Sequence, residues 1–468
     1  MLPDVIPRPA AISPETYRAR REALMRQLPS SAAVLLPSAS LLTRSNDSEF
    51  PFRQNSDFYY LTGMTEPDAL LVLLPGEGED GRGASIEEST EESTGESAGE
   101  SIVFCQDRDA TLEAWTGRRL GAAGVVNEHD LDHAFENAER DERLAELLRG
   151  REQLYLPLES AEAIALAEDA YVQAKAGQRR GQAPVRGWQD ISPLIHDMRL
   201  IKSAEEICLL RHAAAISARA HCRAMQAAAP ELFEYQLQAE LEHEFVWQGG
   251  SGPAYSTIVG GGANACVLHY IENSATLQAG ELVLIDAGAE FDLYAGDITR
   301  TFPVSGTFSA AQRAIYTIVL AAQERAIAAV KPGTTLKAIH QGVVRDLTQG
   351  LIELGLLEGD AGARVEDESY RRFYLHSTSH WLGLDVHDVG TYRLDPDTFR
   401  PLAPGMVLTV EPGLYIPDDA DIPSEYRGIG IRIEDDVVVT ENGHDVLTSG
   451  VPKKVADIEA LMVNKQPD

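Results

Sequence analysis

Short apolar runs punctuate the first two hundred residues at spacings that suit a layered fold. AAVLLP (32–37), YYLTG (59–63), ALLVLLP (69–75), IVFCQ (102–106) and QLYLP (153–157) each have the length of a buried strand. Between them PETYRARREALMRQL (14–28) and a stretch near 130–149 carry apolar positions at helical spacing. That βαβ-like rhythm predicts an α/β layer fold for the first part of the chain. It has no glycine-rich phosphate loop of the dinucleotide or P-loop type.

The pattern changes near residue 197. Ser203 and Glu206 have capping-box spacing ahead of a long helix, AEEICLLRHAAAISARAHCRAMQ, which must end before Pro230. Ser309 and Gln312 repeat the device ahead of IYTIVLAAQERAIAAV, stopped by Pro332-Gly333. YSTIVG, CVLHY, LVLIDAG, GDITRTFPV, MVLTVEPG and GIRIEDDVVVT read as strands. Helices with mainly antiparallel strands predict α+β. The chain is therefore read as two domains, 1–196 and 197–468. Residues 76–101, GEGEDGRGASIEESTEESTGESAGES, offer almost nothing to bury and cannot offset their ordering entropy. They are expected to be a disordered acidic insertion within a hairpin of the first domain.

Composition narrows the function. The formal net charge of −33 repels phosphate backbones and anionic lipid, so no nucleic-acid or membrane partner is expected. No apolar run reaches the ~18 residues of a membrane span. The N-terminus has prolines and acids where a signal peptide needs a basic start and an apolar core. Cys105, Cys208, Cys222 and Cys266 are scattered without a C-x-x-C pair and are expected to be reduced, buried thiols. A cytoplasmic protein is the reading.

The chemistry gathers around LIDAGAEFDLYAGDITRTF (284–302). A hairpin turning between Phe291 and Asp292 sets Asp286 opposite Asp297, with Cβ atoms ~5 Å apart. Two opposed, partly buried carboxylates repel, and a divalent cation that binds both relieves the repulsion. Two exposed turn acids are the alternative, against which the flanking LVLI and the small Ala287, Gly288, Ala295 and Gly296 argue. Asp292 is assigned to the hairpin tip, facing water. TVEPGLY ends an apolar strand with Glu411, and GIRIEDDVVV carries Glu434 inside one, with Arg432 on the same face. HSTSHWLGLDVHD adds His376, His380 and His387 beside Asp385 and Asp388. There is no H-E-x-x-H, which excludes a zincin-type protease. Four carboxylates and one imidazole suit Mn²⁺, Co²⁺ or a similar ion better than a thiolate zinc site. So many carboxylates fit two ions ~3.5–4 Å apart better than one.

IDAG…GDITRTF, HSTSHWLGLDVHD, TVEPGLY and GIRIEDD resemble the metal motifs of the pita-bread metallopeptidases, and among them most nearly the Xaa-Pro aminopeptidase, or aminopeptidase P, family. TRSNDSEFPFRQNSDFYYLTG (43–63) and EAWTGRRLG (113–121) are similar to that family's creatinase-like N-terminal domain. The resemblance implies an α/β creatinase-like N-terminal domain and an α+β pita-bread catalytic domain. It implies two divalent ions, Mn²⁺ foremost: Asp286 would bind one, Asp297 and Glu434 would bridge both, and His380 and Glu411 would complete the second. It implies hydrolysis of the N-terminal Xaa-Pro bond of peptides with proline second, by attack of a hydroxide bridging the ions. Glu411 would shuttle the proton, and His269 and His387 would position substrate and stabilise the tetrahedral intermediate. His376 would line the substrate pocket, Arg432 would orient the acidic ligands, and Tyr255 and Trp115 would form pocket wall. A homo-oligomer follows from the resemblance alone. Ser377 stands where the family usually has glycine, and the Gly260–Asn264 run is slightly unusual. The alternatives are an Xaa-Pro dipeptidase (prolidase), which shares the ligands, and a non-catalytic peptide-binding relative.

Overall fold

The computed structural model describes residues 5–76, 98–177 and 185–463. The chain divides into two compact units, Ile12–Met198 and Met1–Ala11 with Arg199–Asp468.

The N-terminal unit is a six-stranded mixed sheet. Its order is His133–Glu136, Gly99–Cys105, Leu70–Pro75, Ala32–Pro37, Gln153–Leu156, Gly187–Asp190. The two central strands are buried along their whole length, which is why they read as unbroken apolar runs rather than alternating ones. Leu70–Pro75 and Gly99–Cys105 pair antiparallel down to Pro75 opposite Gly99. The expected insertion joins these two strands, and most of it, 77–97, lies outside the described residues.

Two expectations fail here. YYLTG is the end of a helix, Ser56–Thr62, because Asn55 caps Phe58 N–H and Gly63 takes the left-handed conformation that closes a helix (φ 69). A short apolar run carries no period by which strand and helix can be told apart. The stretch near 130–149 is also not one helix: strand His133–Glu136 separates helices Gly121–His129 and Arg140–Leu147.

The C-terminal unit is α+β, built from helices and small antiparallel sheets. Both expected capping boxes are present, at Ser203/Glu206 for helix Ala204–Ala227 and at Ser309/Gln312 for helix Ala310–Ala329. Ile258–Gly261, Leu282–Asp286 and Thr299–Pro303 form one sheet, and Val407–Val410, Asp435–Thr440 and Gly443–Val446 another. CVLHY is not a strand, since a 3₁₀ turn, Gly262–Cys266, consumes its start. GIRIEDDVVVT is two strands. Gly430–Arg432 pairs with Gly413–Tyr415 and Asp435–Thr440 with Val407–Val410, so Glu434 sits at the break rather than inside one strand.

The central hairpin turns one residue later than its sequence implies. Asp292 (φ 47) and Leu293 (φ 69) are both left-handed, the mark of a two-residue type I′ turn. Asp286 therefore lies opposite Thr299, not Asp297. The shift in partner is two residues, and side chains alternate with period two, so Asp297 keeps to Asp286's face as a diagonal neighbour. Gly288 makes this possible: a Cβ there would fall 1.6 Å from the Gly296 carbonyl oxygen. Asp292 is not free in water either, because Arg8 donates to it at 2.6 Å. Of the cysteines, Cys105 is buried but Cys208 is exposed.

Candidate metal centre

Strand ends carry the acids. Asp286 closes Leu282–Asp286, Asp297 precedes Thr299–Pro303, Glu411 follows Val407–Val410, and Glu434 fills the break described above. His380 stands on the irregular 376–388 segment, whose backbone is tied to the sheet by Thr409 N–H to the His380 carbonyl (3.0 Å) and Glu411 N–H to the Thr378 carbonyl (2.8 Å). Together they line a cavity of about 1040 Å³ that also takes in Tyr255, His269, His376, His387 and Arg432. The candidate ligands and substrate-contacting residues thus line one cavity, except Trp115; Asp385 and Asp388 instead pair with Arg199, and Asp388 also with Lys202. The Trp115 side chain belongs to the N-terminal unit, where it is 85% exposed, and it is not among the cavity's lining residues.

Ligand atoms of Asp297, His380 and Glu434 lie within 4.8 Å of one another. His380 Nε2 is 3.5 Å from both Asp297 Oδ2 and Glu411 Oε1. Its Nδ1 donates to the Trp381 carbonyl at 2.9 Å, which holds the ring so that Nε2 faces the acids. Asp297 faces two ways: Oδ2 looks to His380, and Oδ1 is 2.5 Å from the Tyr255 hydroxyl. The same hydroxyl lies 2.6 Å from Asp286 Oδ1. One hydroxyl has one proton to donate, so it cannot satisfy both carboxylates.

Electrostatics state the same deficit. Burial drives Glu411 up to about 7, against the pull of His380 and Arg432. Burial also raises Glu434 well above the carboxylate range, reinforced by Asp297 and Glu411, and raises Asp297. Burial pushes His380 down, but its contact with Asp297 and the Glu411 charge outweigh that and lift it to about 9. Buried acids that share protons in this way are a donor set suited to divalent cations, whose charge restores the ionised forms. An oxygen-rich set with a single imidazole fits hard or borderline ions.

Arg432 organises the acids. Its three nitrogens donate to Asp286 Oδ2 (2.5 Å), Tyr415 Oη (2.9 Å) and Thr299 Oγ1 (3.1 Å). Tyr415 Oη is in turn 2.8 Å from His376 Nε2, and His376 Nδ1 is 2.8 Å from the Ser377 carbonyl. Burial and the Arg432 charge push His376 down to about 3, so it is neutral, donating from Nδ1 and accepting at Nε2. His387 packs edge-on against His380, ring centroids 4.4 Å apart, and burial lowers its pKa.

Several supporting residues escaped the sequence reading. Thr299 Oγ1 donates to Glu434 Oε2 at 2.6 Å, and Thr409 Oγ1 to Glu411 Oε1 at 3.3 Å. Asp436 Oδ2 accepts from Asp297 N–H at 3.0 Å. Asp435 is gripped by Arg300, Gln323, Thr448 and Lys453 at 2.6–2.8 Å. For Asp435 and Asp436 the available signal was a run of three acids, 434–436, leading directly into three valines.

With the geometry described, comparison with known proteins defines the class. The Metallopeptidase family M24 model matches residues 208–441, and the Aminopeptidase P, N-terminal domain model matches residues 17–155. The chain belongs to the M24 metallopeptidases, whose sites hold divalent metal ions. Its similarities run to one branch of them. Xaa-Pro aminopeptidase of Escherichia coli (strain K12) is 46% identical over 97% of this chain and 98% of its own length. The Xaa-Pro aminopeptidase of Haemophilus influenzae is 44% identical over the same shares. Zinc-substituted E. coli aminopeptidase P, solved in complex with product, matches with a TM-score of 0.91 at 45% identity, covering 98% of this chain and 100% of that one. The fold is thus the aminopeptidase P N-terminal domain followed by the pita-bread catalytic domain.

Proposed function

We propose that the chain is a metal-dependent aminopeptidase that removes the first residue from peptides with proline second. The observation that carries this reading is the set Asp286, Asp297, His380, Glu411 and Glu434 around one cavity, in a chain 46% identical to an Xaa-Pro aminopeptidase over nearly its whole length. Those five residues would hold two divalent ions, Mn²⁺ being the assignment. Asp297 and Glu434 would serve both positions, a reading supported for Asp297 by one oxygen toward Tyr255 and the other toward His380.

When bound, the ions supply Lewis-acid polarisation of the scissile carbonyl and a water acidified to near neutral pH. The protein does the rest. Glu411 takes the proton released by the attacking water and returns it to the proline nitrogen as that bond breaks. His387 and His269 face the same space and donate to the carbonyl oxygen as charge builds there. His376 holds Tyr415, and through it Arg432, in register with Asp286. The free amine of the peptide sits at the acidic floor by Asp286, which limits cleavage to one residue. Tyr255 is assigned to substrate contact. A cytoplasmic homo-oligomer is the accompanying assignment. No described helix is long and apolar enough to cross a membrane.

Arg-Pro-Pro cleavage by the metal-loaded protein, followed by release of free arginine, tests the reading. Turnover of the tripeptide supports it. Turnover of Xaa-Pro dipeptides alone makes the protein a dipeptidase, and full activity after complete metal removal overturns the mechanism.

A further inference from the structure

The cavity has an acidic floor, but its rim has the opposite charge. Lys337, Arg393 and Phe399 line the same cavity as the metal ligands. Both cations stack on one ring: Lys337 Nζ is 4.8 Å and Arg393 Cζ 3.8 Å from the centroid of Phe399. Both are exposed, and neither forms an ion pair among the described residues. Asp395 feels the Arg393 charge without pairing with it, its Oδ1 accepting the N–H groups of Asp397 and Thr398 at 2.9 Å each. Arg393 spends one N–H on the Pro396 carbonyl at 2.6 Å and keeps the remainder of its fork.

The position of Lys337 is locally unfavourable. It is the second residue of helix Leu336–Glu353, capped by Thr335, and that first turn contains no acid. A cation there opposes the helix macrodipole, whose positive end it joins. In a chain of net charge −33, two cations share one aromatic ring on the wall of this cavity, one of them at the positive end of a helix. An anion at that spot is attracted by both charges and by the helix terminus.

We propose that Lys337 and Arg393, set on Phe399, form a carboxylate-binding subsite for the downstream part of the peptide. This rests on the function proposed above. With the amine at the floor, residues beyond proline leave the cavity by the exposed rim. The carboxylate comes either from the C-terminus of a short peptide or from an acidic side chain further along. Lys337 acts as a point charge, and Arg393 presents a planar fork to the two oxygens.

Arg-Pro-Pro against its C-terminal amide tests the terminal carboxylate. Arg-Pro-Pro-Asp amide against Arg-Pro-Pro-Asn amide tests the side chain. kcat and KM are measured for the metal-loaded wild type, Lys337→Gln, Arg393→Gln and the double variant. In the wild type at least one anionic peptide exceeds its neutral counterpart about tenfold in kcat/KM, chiefly through KM, the scale of one charge-assisted contact. That ratio falls toward one in the double variant and, in the wild type, as salt is raised. Should the double variant misfold, the single variants and the salt series carry the test. Equal ratios in wild type and variants for both pairs overturn the subsite while leaving the aminopeptidase reading standing. Failure of the wild type to cleave any of the four peptides overturns both.

Discussion

At the scale of single residues, protons and metal compete for the same atoms. Glu411, ordinarily near 4.5, is raised to about 7 by burial, and His380 is raised from 6.5 to about 9 by Asp297 and Glu411. Both bind more protons when the metal-free chain is folded than when it is unfolded. Their stabilising contribution is therefore present at low pH and lost as pH rises through those intervals. Metal binding requires the protons to leave, so its stabilising effect grows over the same range. Chelation should lower Tm more at about pH 8 than at about pH 6. Equal drops in a thermal shift assay at the two pH values would contradict this. Glu411→Gln should cut kcat by about 10²–10⁴-fold, the usual range for a general acid–base, in a protein that still gives a cooperative melt. Arg432→Lys loses the fork that joins Asp286, Tyr415 and Thr299 and should weaken metal affinity by about 10–100-fold. Titration calorimetry reads that directly, and unchanged affinity would remove Arg432 from the role given to it.

At the scale of elements, the hairpin at 282–303 sets the site. Its type I′ turn fixes the register, and Gly288 lets the strands close beside Asp297. A methyl at 288 meets backbone rather than a movable side chain. Gly288→Ala should destabilise the catalytic unit by about 3 kcal/mol or more, the range of severe core clashes, and abolish tight metal binding. A chemical melt together with metal analysis checks both, and a variant with wild-type midpoint and metal content would refute the clash. The same scale shows where patterns mislead. YYLTG and CVLHY are apolar enough for strands, yet a cap at Asn55 with Gly63 makes the first helical, and a 3₁₀ turn takes the start of the second. Capping boxes, which specify particular hydrogen bonds three residues apart, were legible where bare hydrophobicity was not.

At the scale of the whole molecule, 77–97 joins strands that already pair to their ends at Pro75 and Gly99. Replacing those residues with a short Gly-Ser linker should change Tm by less than about 2 °C, the scale of a change in loop-closure entropy, and leave kcat/KM for Arg-Pro-Pro unchanged. A loss of turnover with the fold intact would tie the segment to catalysis. Light scattering should return a mass above the 50.9 kDa of one chain; a mass equal to it would remove the homo-oligomer.

The sequence by itself determined the kind of chemistry. Acids and histidines set among apolar and small residues are placed for burial, and buried acids repel unless a cation joins them, so the motifs pointed to a set of candidate ligands. Only the tertiary structure decided how those groups meet. Asp286 faces Thr299 because two left-handed residues move the turn by one position. Glu434 stands at a strand break because its neighbours pair with different partners. Tyr255 sits between two aspartates, and Lys337 shares a ring with Arg393 across distant parts of the chain. Each of these depends on contacts between segments far apart in sequence, where register and packing, not local pattern, hold the information.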